Sequence, residues 1–181
     1  MSAASCDTER VTRVLFVCLG NAVRSQMAEG FARAYGWDVI KPASAGLMPA
    51  LAVDPTAVRV MEEIGISISD AFPKHFRTLA DRLSFDLVVN ISGRPLPGGS
   101  TAPVQEWEVP DPVGRTDDDY RRARDQIQRL TLTLINQLRA APPAQMAVPT
   151  APAPAADTGP RPETRPQLDH RRRIRAHPPK P

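Results

Sequence analysis

The stretch RVLFVCLGNAVRSQMAEGFARAYG, residues 13–36, decides the architecture of this chain. Residues 13–18 are apolar and rich in β-branched side chains without polar alternation, which predicts a strand buried on both faces of a parallel sheet. Residues 24–35 carry apolar side chains at helical spacing, and Gly36 predicts the end of that helix. A buried strand, a short loop and a helix therefore follow one another here.

The remainder of the chain continues to alternate strand and helix patterns. Strands are predicted at 37–43, 85–91 and 104–107, and helices at 55–65, 78–83 and 117–138. Asp54 before Pro55 and Thr116 before three aspartates are typical helix starts. Such alternation favours an α/β fold with a four-stranded parallel sheet and helices on both faces. Ligands of these sheets bind at the carboxyl ends of the strands, which is where Cys18 lies.

The loop that begins at Cys18 has the composition of an anion site. Its backbone amides can converge on a tetrahedral oxyanion, and the following helix N-terminus favours negative charge. Arg24 adds a planar, bidentate donor for oxyanion oxygens, and such surroundings stabilise a thiolate. The alternative is a cysteine that merely fills the core. Because the glycine, asparagine, arginine and helix start agree, we interpret Cys18 as a nucleophile aimed at an oxyanion.

Composition narrows the setting of this chemistry. The chain has 181 residues, with Cys6 and Cys18 as its two cysteines, so a structural disulfide is not expected and a reducing cytoplasm is the predicted location. No apolar run is long enough to span a bilayer, and the N-terminus lacks the apolar centre of a secretory signal. Three histidines, two of them near the C-terminus, give no pattern of metal ligands.

Both ends of the chain differ from the rest. Residues 1–10 are predicted to form a flexible leader, and residues 142–181, which hold eleven of the twenty prolines, a disordered tail. The tail has seven Lys or Arg against three Asp or Glu, in a chain with a net charge of +3. Its RRRIR run at 171–175 is suited to nucleic acid, an anionic membrane or an acidic partner, but a solvated extension without function fits at least as well. No aromatic residues interleave with the arginines, which disfavours nucleic acid.

Several motifs in order resemble one enzyme family. They are VLFVCLGNAVRSQMAEGFAR, SAG at 44–46, VMEEIGISIS, DLVV, VPDPVG and YRRARDQI. This series resembles the low-molecular-weight protein tyrosine phosphatase superfamily, which includes the thioredoxin-coupled and related arsenate reductases. The resemblance covers roughly residues 11–140, so we predict one domain at 11–141. SQMAEGF and RDQI are closer to the arsenate reductase branch.

The resemblance implies a role for each matching position. Cys18 would attack phosphorus or arsenic, Ser25 would donate a hydrogen bond to the thiolate, and Asn21 would hold the loop conformation. The oxyanion would be held by a run of seven residues: Leu19, Gly20, Asn21, Ala22, Val23, Arg24 and Ser25. Some reductases of the family hold a potassium ion near the loop, and Asn21, Glu29 and Ser44 match part of that site.

Asp111 is the matching position for a general acid that protonates the leaving oxygen. A carboxyl group held over an anion site has its neutral form favoured, which suits that role. The alternative is a turn residue, since Asp111 precedes Pro112 and Asp-Pro is a common turn pair. We further predict that Trp107 belongs to the core or its rim and that His75 is a surface residue.

The chain departs from both branches of the family. Thioredoxin-coupled reductases carry two further cysteines in the loop after the third strand, where this chain reads NISGRPLPGGSTAP, and Val23 replaces a second loop cysteine. An arsenate adduct on Cys18 would then require an external thiol: mycothiol, glutathione or another small thiol with a glutaredoxin-like partner. Tyrosine phosphatases of the family place aromatic residues after Asp-Pro, where this chain has Val113 and Gly114.

Three hypotheses follow. The first is an arsenate reductase-like enzyme that needs no cofactor beyond an external thiol or redoxin. The second is a phosphatase that acts on phosphotyrosine or another phosphomonoester through a Cys18 phosphoenzyme. The third is a non-catalytic module that binds an oxyanion or a partner, which the combination of Cys18, Arg24 and Asp111 disfavours.

Overall fold

The computed structural model describes residues 11–140. Its elements, in chain order, are β1 (Thr12–Cys18), α1 (Arg24–Tyr35), β2 (Ile40–Gly46), α2 (Pro55–Glu62), α3 (Phe76–Arg82), β3 (Leu87–Asn90), β4 (Val104–Glu106) and α4 (Asp117–Ala140). The predicted leader, tail and acidic-partner site lie outside the described residues and stay predictions.

The four strands form one parallel sheet in the order β2-β1-β3-β4. The chain leaves β1 toward β2 on one side and later enters β3 on the other, so the strand order reverses beside β1. A crevice at the carboxyl ends of the strands forms at such a reversal, and ligands of α/β sheets bind there. Cys18 is the last residue of β1 and therefore lies in that crevice.

The sheet separates two apolar clusters. Val14, Phe16 and Cys18 of β1 face the larger one, which also includes side chains of α1, α2 and α4. Leu15 and Val17 face the smaller one, which packs beneath α3. This alternation explains the continuous apolar run of β1, since a strand with helices on both faces buries every side chain. The predicted four-stranded parallel fold is confirmed.

The second strand was predicted too early in the chain. The pattern suggested 37–43, whereas β2 spans Ile40–Gly46. The Gly36 carbonyl accepts hydrogen bonds from the amides of Val39 and Ile40, at 3.0 and 2.7 Å, so a turn occupies the predicted start. Trp37 is 77 % exposed in this turn. Its aromatic side chain suggested a strand, but local hydrogen bonding determined the backbone.

The bounds of α2 and α3 also differ from the predicted ones, because of the residues that begin and end these helices. Helix α2 begins as predicted, with the Asp54 carboxylate accepting from the Thr56 amide at 2.8 Å, but it ends at Glu62 because the chain reverses through Gly65 at φ 76°. Helix α3 begins at Phe76, two residues early, because His75 Nδ1 accepts from the Arg77 amide at 3.1 Å. His75 is exposed, as predicted, and serves as a cap.

Helix α4 covers one face of the sheet with its predicted apolar stripe. At its start, the hydroxyl and the amide of Thr116 both donate to the Asp119 carboxylate, and the Asp119 amide donates to the Thr116 hydroxyl. These reciprocal bonds form a capping box. Among residues 11–140, no helix has both the length and the apolar character needed to cross a membrane.

Tyr120 ties α4 to α2. It is 3 % exposed, and its hydroxyl donates to Asp54 Oδ2 at 2.7 Å. Burial, followed by the hydrogen bond to Asp54, raises the pKa of Tyr120 from 10.0 to about 12. Protonated Tyr120 therefore makes its full contribution to the free energy of unfolding below pH 10. This contribution decreases as the pH rises from 10 toward 12.

We expect this contribution to be visible in alkaline unfolding. Relative to Tyr120→Phe, the wild type should lose about 1 kcal/mol of unfolding free energy between pH 9 and pH 11. Urea unfolding of both proteins at each pH measures the difference. Tyr35→Phe is the matched control because it removes the hydroxyl of the other tyrosine of the chain, whose ring stacks on Phe31. An equal pH slope for wild type and Tyr120→Phe would contradict the prediction.

Candidate active site

The loop between β1 and α1 is wound so that its carbonyls face outward. The carbonyls of Leu19, Gly20 and Ala22 accept hydrogen bonds of 2.8–3.0 Å from amides of the segment 48–54. Within residues 11–140, the amides of Gly20, Ala22 and Val23 donate to no protein acceptor. A loop held by its carbonyls presents its amides on the opposite side, where an oxyanion can accept from several of them.

The N-terminus of α1 contributes to the same concave surface. Val23 is in the N-cap position, where no side chain caps the helix, and no acidic residue lies in the first turn. The first amides of a helix have no intrahelical acceptor, and side chains or anions usually satisfy them. The uncapped end of α1 therefore adds donors and positive potential behind Cys18.

Gly46, at the end of β2, allows the strand to lie against the loop. A Cβ atom at this position would be 2.8 Å from the Asn21 nitrogen and 2.9 Å from the Leu19 oxygen. Both neighbours are backbone atoms, so any side chain would displace the anion loop. The glycine of the Ser-Ala-Gly motif at 44–46 is therefore needed for β2 to lie this close to the loop.

Asn21 is the central residue of the loop. It is fully buried and has φ 49°, the one positive φ at a non-glycine position among residues 11–140. Its Nδ2 donates to the hydroxyls of Ser25 at 2.8 Å and Ser44 at 2.9 Å, while its Oδ1 accepts from the Lys74 amide at 2.7 Å. These three bonds satisfy the side chain and hold the backbone in a conformation that asparagine tolerates better than most residues.

Cys18 lies at the bottom of this loop. Its residue is 2 % exposed, and its Sγ is 3.2 Å from the Asn21 amide and 3.0 Å from Ser25 Oγ. Because Ser25 Oγ accepts from Asn21 Nδ2, its one proton can be donated either to the sulfur or to the Ala45 carbonyl, which lies 3.4 Å away. The Asn21 amide and the Ser25 hydroxyl therefore both face the sulfur.

Arg24 and Asp111 meet beside the loop although 87 positions separate them. The Arg24 guanidinium donates through Nη1 to the carbonyls of Ile91 at 2.9 Å and Val109 at 3.1 Å, and through Nη2 it pairs with Asp111 Oδ2. The Arg24 side chain is 7 % exposed and that of Asp111 39 %. Asp111 Oδ1 also accepts a hydrogen bond from the Val113 amide at 3.3 Å, as in an Asp-Pro turn. Asp111 is therefore a turn residue and also a neighbour of Arg24, and one position does not exclude the other.

A groove of about 830 Å³ runs past the outer side of Arg24. Its lining carries both signs of charge, from Arg94, Glu106 and Glu108, and does not include Cys18. Cys18 therefore lies in the loop, outside the lining of the groove, whereas Arg24 borders both. Trp107, predicted to be core or rim, lines the groove and is 5 % exposed, with its ring centroid 5.7 Å from that of Phe16.

The residues that match the family's potassium site are engaged with protein donors. Asn21 Oδ1 accepts from the Lys74 amide, and the Glu29 carboxylate pairs with Lys74 Nζ at 3.5 Å and with Arg33. Sequence reasoning overlooked Lys74 because it lies in an irregular stretch outside the quoted motifs. Gln26 lies within a quoted motif on α1, but nothing in the motif signalled that its Nε2 donates to the carbonyls of Asn21 and Phe72, at 3.0 Å each.

The arrangement suits nucleophilic attack on a tetrahedral oxyanion. A buried sulfur with two hydrogen-bond donors faces a set of backbone amides, and a guanidinium and a carboxyl group lie at the rim. A covalent intermediate on sulfur requires such donors for the charge on the oxyanion and an acid for the leaving oxygen.

Comparisons with known proteins agree with this geometry. The family model described as low molecular weight phosphotyrosine protein phosphatase matches residues 13–96. A glutaredoxin arsenate reductase from Synechocystis sp. is 35 % identical over 131 residues, 70 % of this chain and 98 % of that protein. A solved arsenate reductase in the phosphate binding state aligns with TM-score 0.66 and 33 % identity over 71 % of this chain and 99 % of that one.

A more distant structure extends the likeness in fold. The tyrosine phosphatase Wzb from Escherichia coli K30, solved in complex with sulphate, aligns with TM-score 0.62 over 71 % of this chain and 99 % of that one, at 20 % identity. Fold, order of motifs and sequence identity to arsenate reductases therefore agree. The chain belongs to the low-molecular-weight phosphotyrosine protein phosphatase family, whose members similar to it include arsenate reductases, and it is an enzyme.

Proposed function

We propose that this enzyme reduces arsenate to arsenite through an adduct on Cys18 that an external thiol resolves. The observation that carries the proposal is the 35 % identity to a glutaredoxin arsenate reductase over nearly all of that protein, together with Cys18 beneath a loop of free amides. Arg24, the loop amides from Leu19 to Ser25 and the uncapped end of α1 supply the donors that a bound oxyanion requires.

The first step transfers arsenate to sulfur. The Cys18 thiolate attacks arsenic, an As–S bond forms, and one As–O bond breaks as its oxygen leaves as water after protonation. Arsenic remains pentavalent in this step. Asp111, at the rim beside Arg24, is the proposed source of the proton.

The second step reduces arsenic. An external thiolate attacks Cys18 Sγ, the As–S electron pair passes to arsenic, and arsenite leaves while a mixed disulfide forms on Cys18. A second external thiol restores the Cys18 thiol. Arsenate and two thiols thus give arsenite, one disulfide and water.

We propose that the reductant comes from outside the chain. Within residues 11–140 Cys18 is the one cysteine, and the loop after β3 has none. A small thiol such as glutathione or mycothiol, with a redoxin, fits a sulfur that is 2 % exposed. A free nucleophilic thiol is stable in a reducing compartment, so we propose the cytoplasm as its location.

A paired assay on the wild type tests the proposal. Arsenite production is measured with glutathione and glutaredoxin, with mycothiol and its redoxin, and with thioredoxin, alongside phosphate release from an aryl phosphate. We expect arsenite with at least one of the small-thiol systems. Brisk ester hydrolysis without arsenite from any thiol system would contradict arsenate reduction and favour the second function.

Phosphomonoester hydrolysis is that second function. Cys18, Arg24 and Asp111 are equally suited to phosphorus, with water in place of the external thiol, and the family model that matches the chain describes phosphatases. The rim after Asp-Pro has Val113 and Gly114 in place of aromatic residues. Without ring stacking, worth about 1 kcal/mol per pair, selection for phosphotyrosine should be weak.

Asp111→Asn tests the proposed acid. We expect hydrolysis of an aryl phosphate to slow by about 10²-fold because asparagine keeps the shape and cannot supply the proton. Steady-state kinetics with leaving groups of different basicity measure the effect, which should be smallest for the best leaving group. Asp70→Asn, at an exposed position, is the control. An unchanged rate for Asp111→Asn would refute the acid role.

A further inference from the structure

Glu29 and Lys74 form a partly buried ion pair beside Asn21 of the loop between β1 and α1. The Glu29 side chain is 6 % exposed and that of Lys74 20 %, with Nζ 3.5 Å from Glu29 Oε2. The ammonium also lies 3.3 Å from the Phe72 carbonyl and 5.0 Å from the centroid of the Phe72 ring. A carboxylate, a carbonyl and an aromatic face therefore hold this one cation.

The main chain of Lys74 connects two walls of the active site. Its amide donates to Asn21 Oδ1 at 2.7 Å, and its carbonyl accepts from the Gly46 amide at 2.8 Å. Asn21 in turn orients the Ser25 hydroxyl and places its own amide on Cys18 Sγ. A displacement of residue 74 would therefore reach the nucleophile through one side chain.

We infer that Lys74 is a positioning residue of the oxyanion loop, and that its ammonium is the built-in counter-charge of Glu29. The tethered cation keeps residue 74 against Asn21 and neutralises a buried carboxylate that would otherwise repel a bound oxyanion. The inference rests on the proposed function only in that Cys18 acts on an oxyanion, and it holds for arsenate and for phosphate esters alike.

The hydrogen bonds of these residues also argue against a bound potassium ion at this place. Glu29 and Asn21, two of the three residues that match the family's ion site, accept hydrogen bonds from the side chain and the amide of Lys74. Ser44 Oγ accepts from Asn21 Nδ2. The Lys74 ammonium thus pairs with one of these three groups, and the other two already accept hydrogen bonds from the protein, so oxyanion binding should not depend on added potassium.

Five variants test the role of this cation: Lys74→Met, Lys74→Arg, Glu29→Gln, the double variant Glu29→Gln/Lys74→Met, and Lys41→Met. Lys74→Met keeps the length of the side chain and removes its charge, and Lys41 is an exposed lysine on β2. The dissociation constant of inorganic phosphate is measured by calorimetry, which is independent of turnover. Initial rates with arsenate or an aryl phosphate are measured in parallel, in potassium and in choline buffers.

The expected pattern separates a counter-charge from mere packing. Lys74→Met should weaken phosphate binding about tenfold, because Glu29 keeps only the exposed Arg33 as its partner. Glu29→Gln/Lys74→Met should recover most of that loss, since no buried charge remains, and Lys41→Met should match wild type. Wild-type binding should be equal in both buffers.

Three results would overturn the inference. They are wild-type phosphate affinity in Lys74→Met, a double variant as weak as Lys74→Met, and potassium-dependent binding by the wild type. Thermal unfolding of each variant identifies a fold defect, and Lys74→Arg, which keeps the charge, should bind phosphate within about threefold of wild type. Failure of turnover with every substrate, but with this binding pattern intact, would count against the proposed function alone.

Discussion

Replacing Cys18 with serine is expected to lower arsenate reduction and aryl phosphate hydrolysis by at least about 10⁴-fold. Both reactions form a bond to sulfur, and a serine hydroxyl at this position would remain neutral. Ser25 and the Asn21 amide can stabilise a thiolate but do not include a general base that would ionise a hydroxyl. Arsenite and phosphate release from wild type and Cys18→Ser measure the loss.

Oxyanion affinity should survive the same substitution. In the proposed site, the loop amides, the end of α1 and Arg24 would hold phosphate, and none of these donors comes from the Cys18 side chain. We expect a dissociation constant within about threefold of the wild-type value, because serine is slightly smaller and hydrogen-bonds similarly. Loss of phosphate binding together with activity would show a collapsed loop, and activity retained in Cys18→Ser would exclude Cys18 as nucleophile.

Cys6→Ser is the matched control, because it removes the other thiol of the chain. An enzyme that depends on an external thiol should keep its rate of arsenite production in this variant. A loss as large as that of Cys18→Ser would instead show that Cys6 resolves the adduct, which would contradict the external thiol.

The fold could be predicted wherever the pattern was long and the caps were explicit. Strand β1 and helix α1 came out within one residue because a continuous apolar run meets a helical repeat that Gly36 ends. Strand β2 was displaced because Trp37 resembles a strand residue while the Gly36 carbonyl ties the chain into a turn. That bond depends on backbone geometry, which side-chain periodicity does not encode.

The residues of the site also fall into two groups, those that the sequence places together and those whose contacts depend on the fold. Cys18, Asn21, Arg24 and Ser25 are close in sequence, so a motif could place them together in advance. The contact of Asp111 with Arg24 depends on how β3 and the loop after β4 are arranged, and only the order of motifs in the family suggested it. Lys74 acts through its main chain on Asn21, 53 positions earlier, and no residue pattern signals such a bond.

Arg24→Lys is expected to reduce kcat/KM for arsenate or an aryl phosphate by about 10³-fold, although the charge remains. The guanidinium of Arg24 uses Nη1 for two carbonyls, of Ile91 and Val109, while Nη2 pairs with Asp111. These bonds fix the planar group, and we expect an oxyanion to use the donors that they leave, Nε–H and the second hydrogen of Nη2. A lysine has one nitrogen and cannot bind both carbonyls and an oxyanion in that geometry.

The comparison of rate with affinity identifies where Arg24 acts. If its donors serve the transition state, kcat should fall more than phosphate binding weakens, since extra charge on the oxyanion develops only during the reaction. Arg122→Lys, on the exposed face of α4, is the matched control and should change neither quantity. Equal losses in phosphate affinity and in kcat/KM, with kcat unchanged, would mean that Arg24 binds the ground state only. The proposed chemistry would then have to draw its transition-state stabilisation from the loop amides and the end of α1.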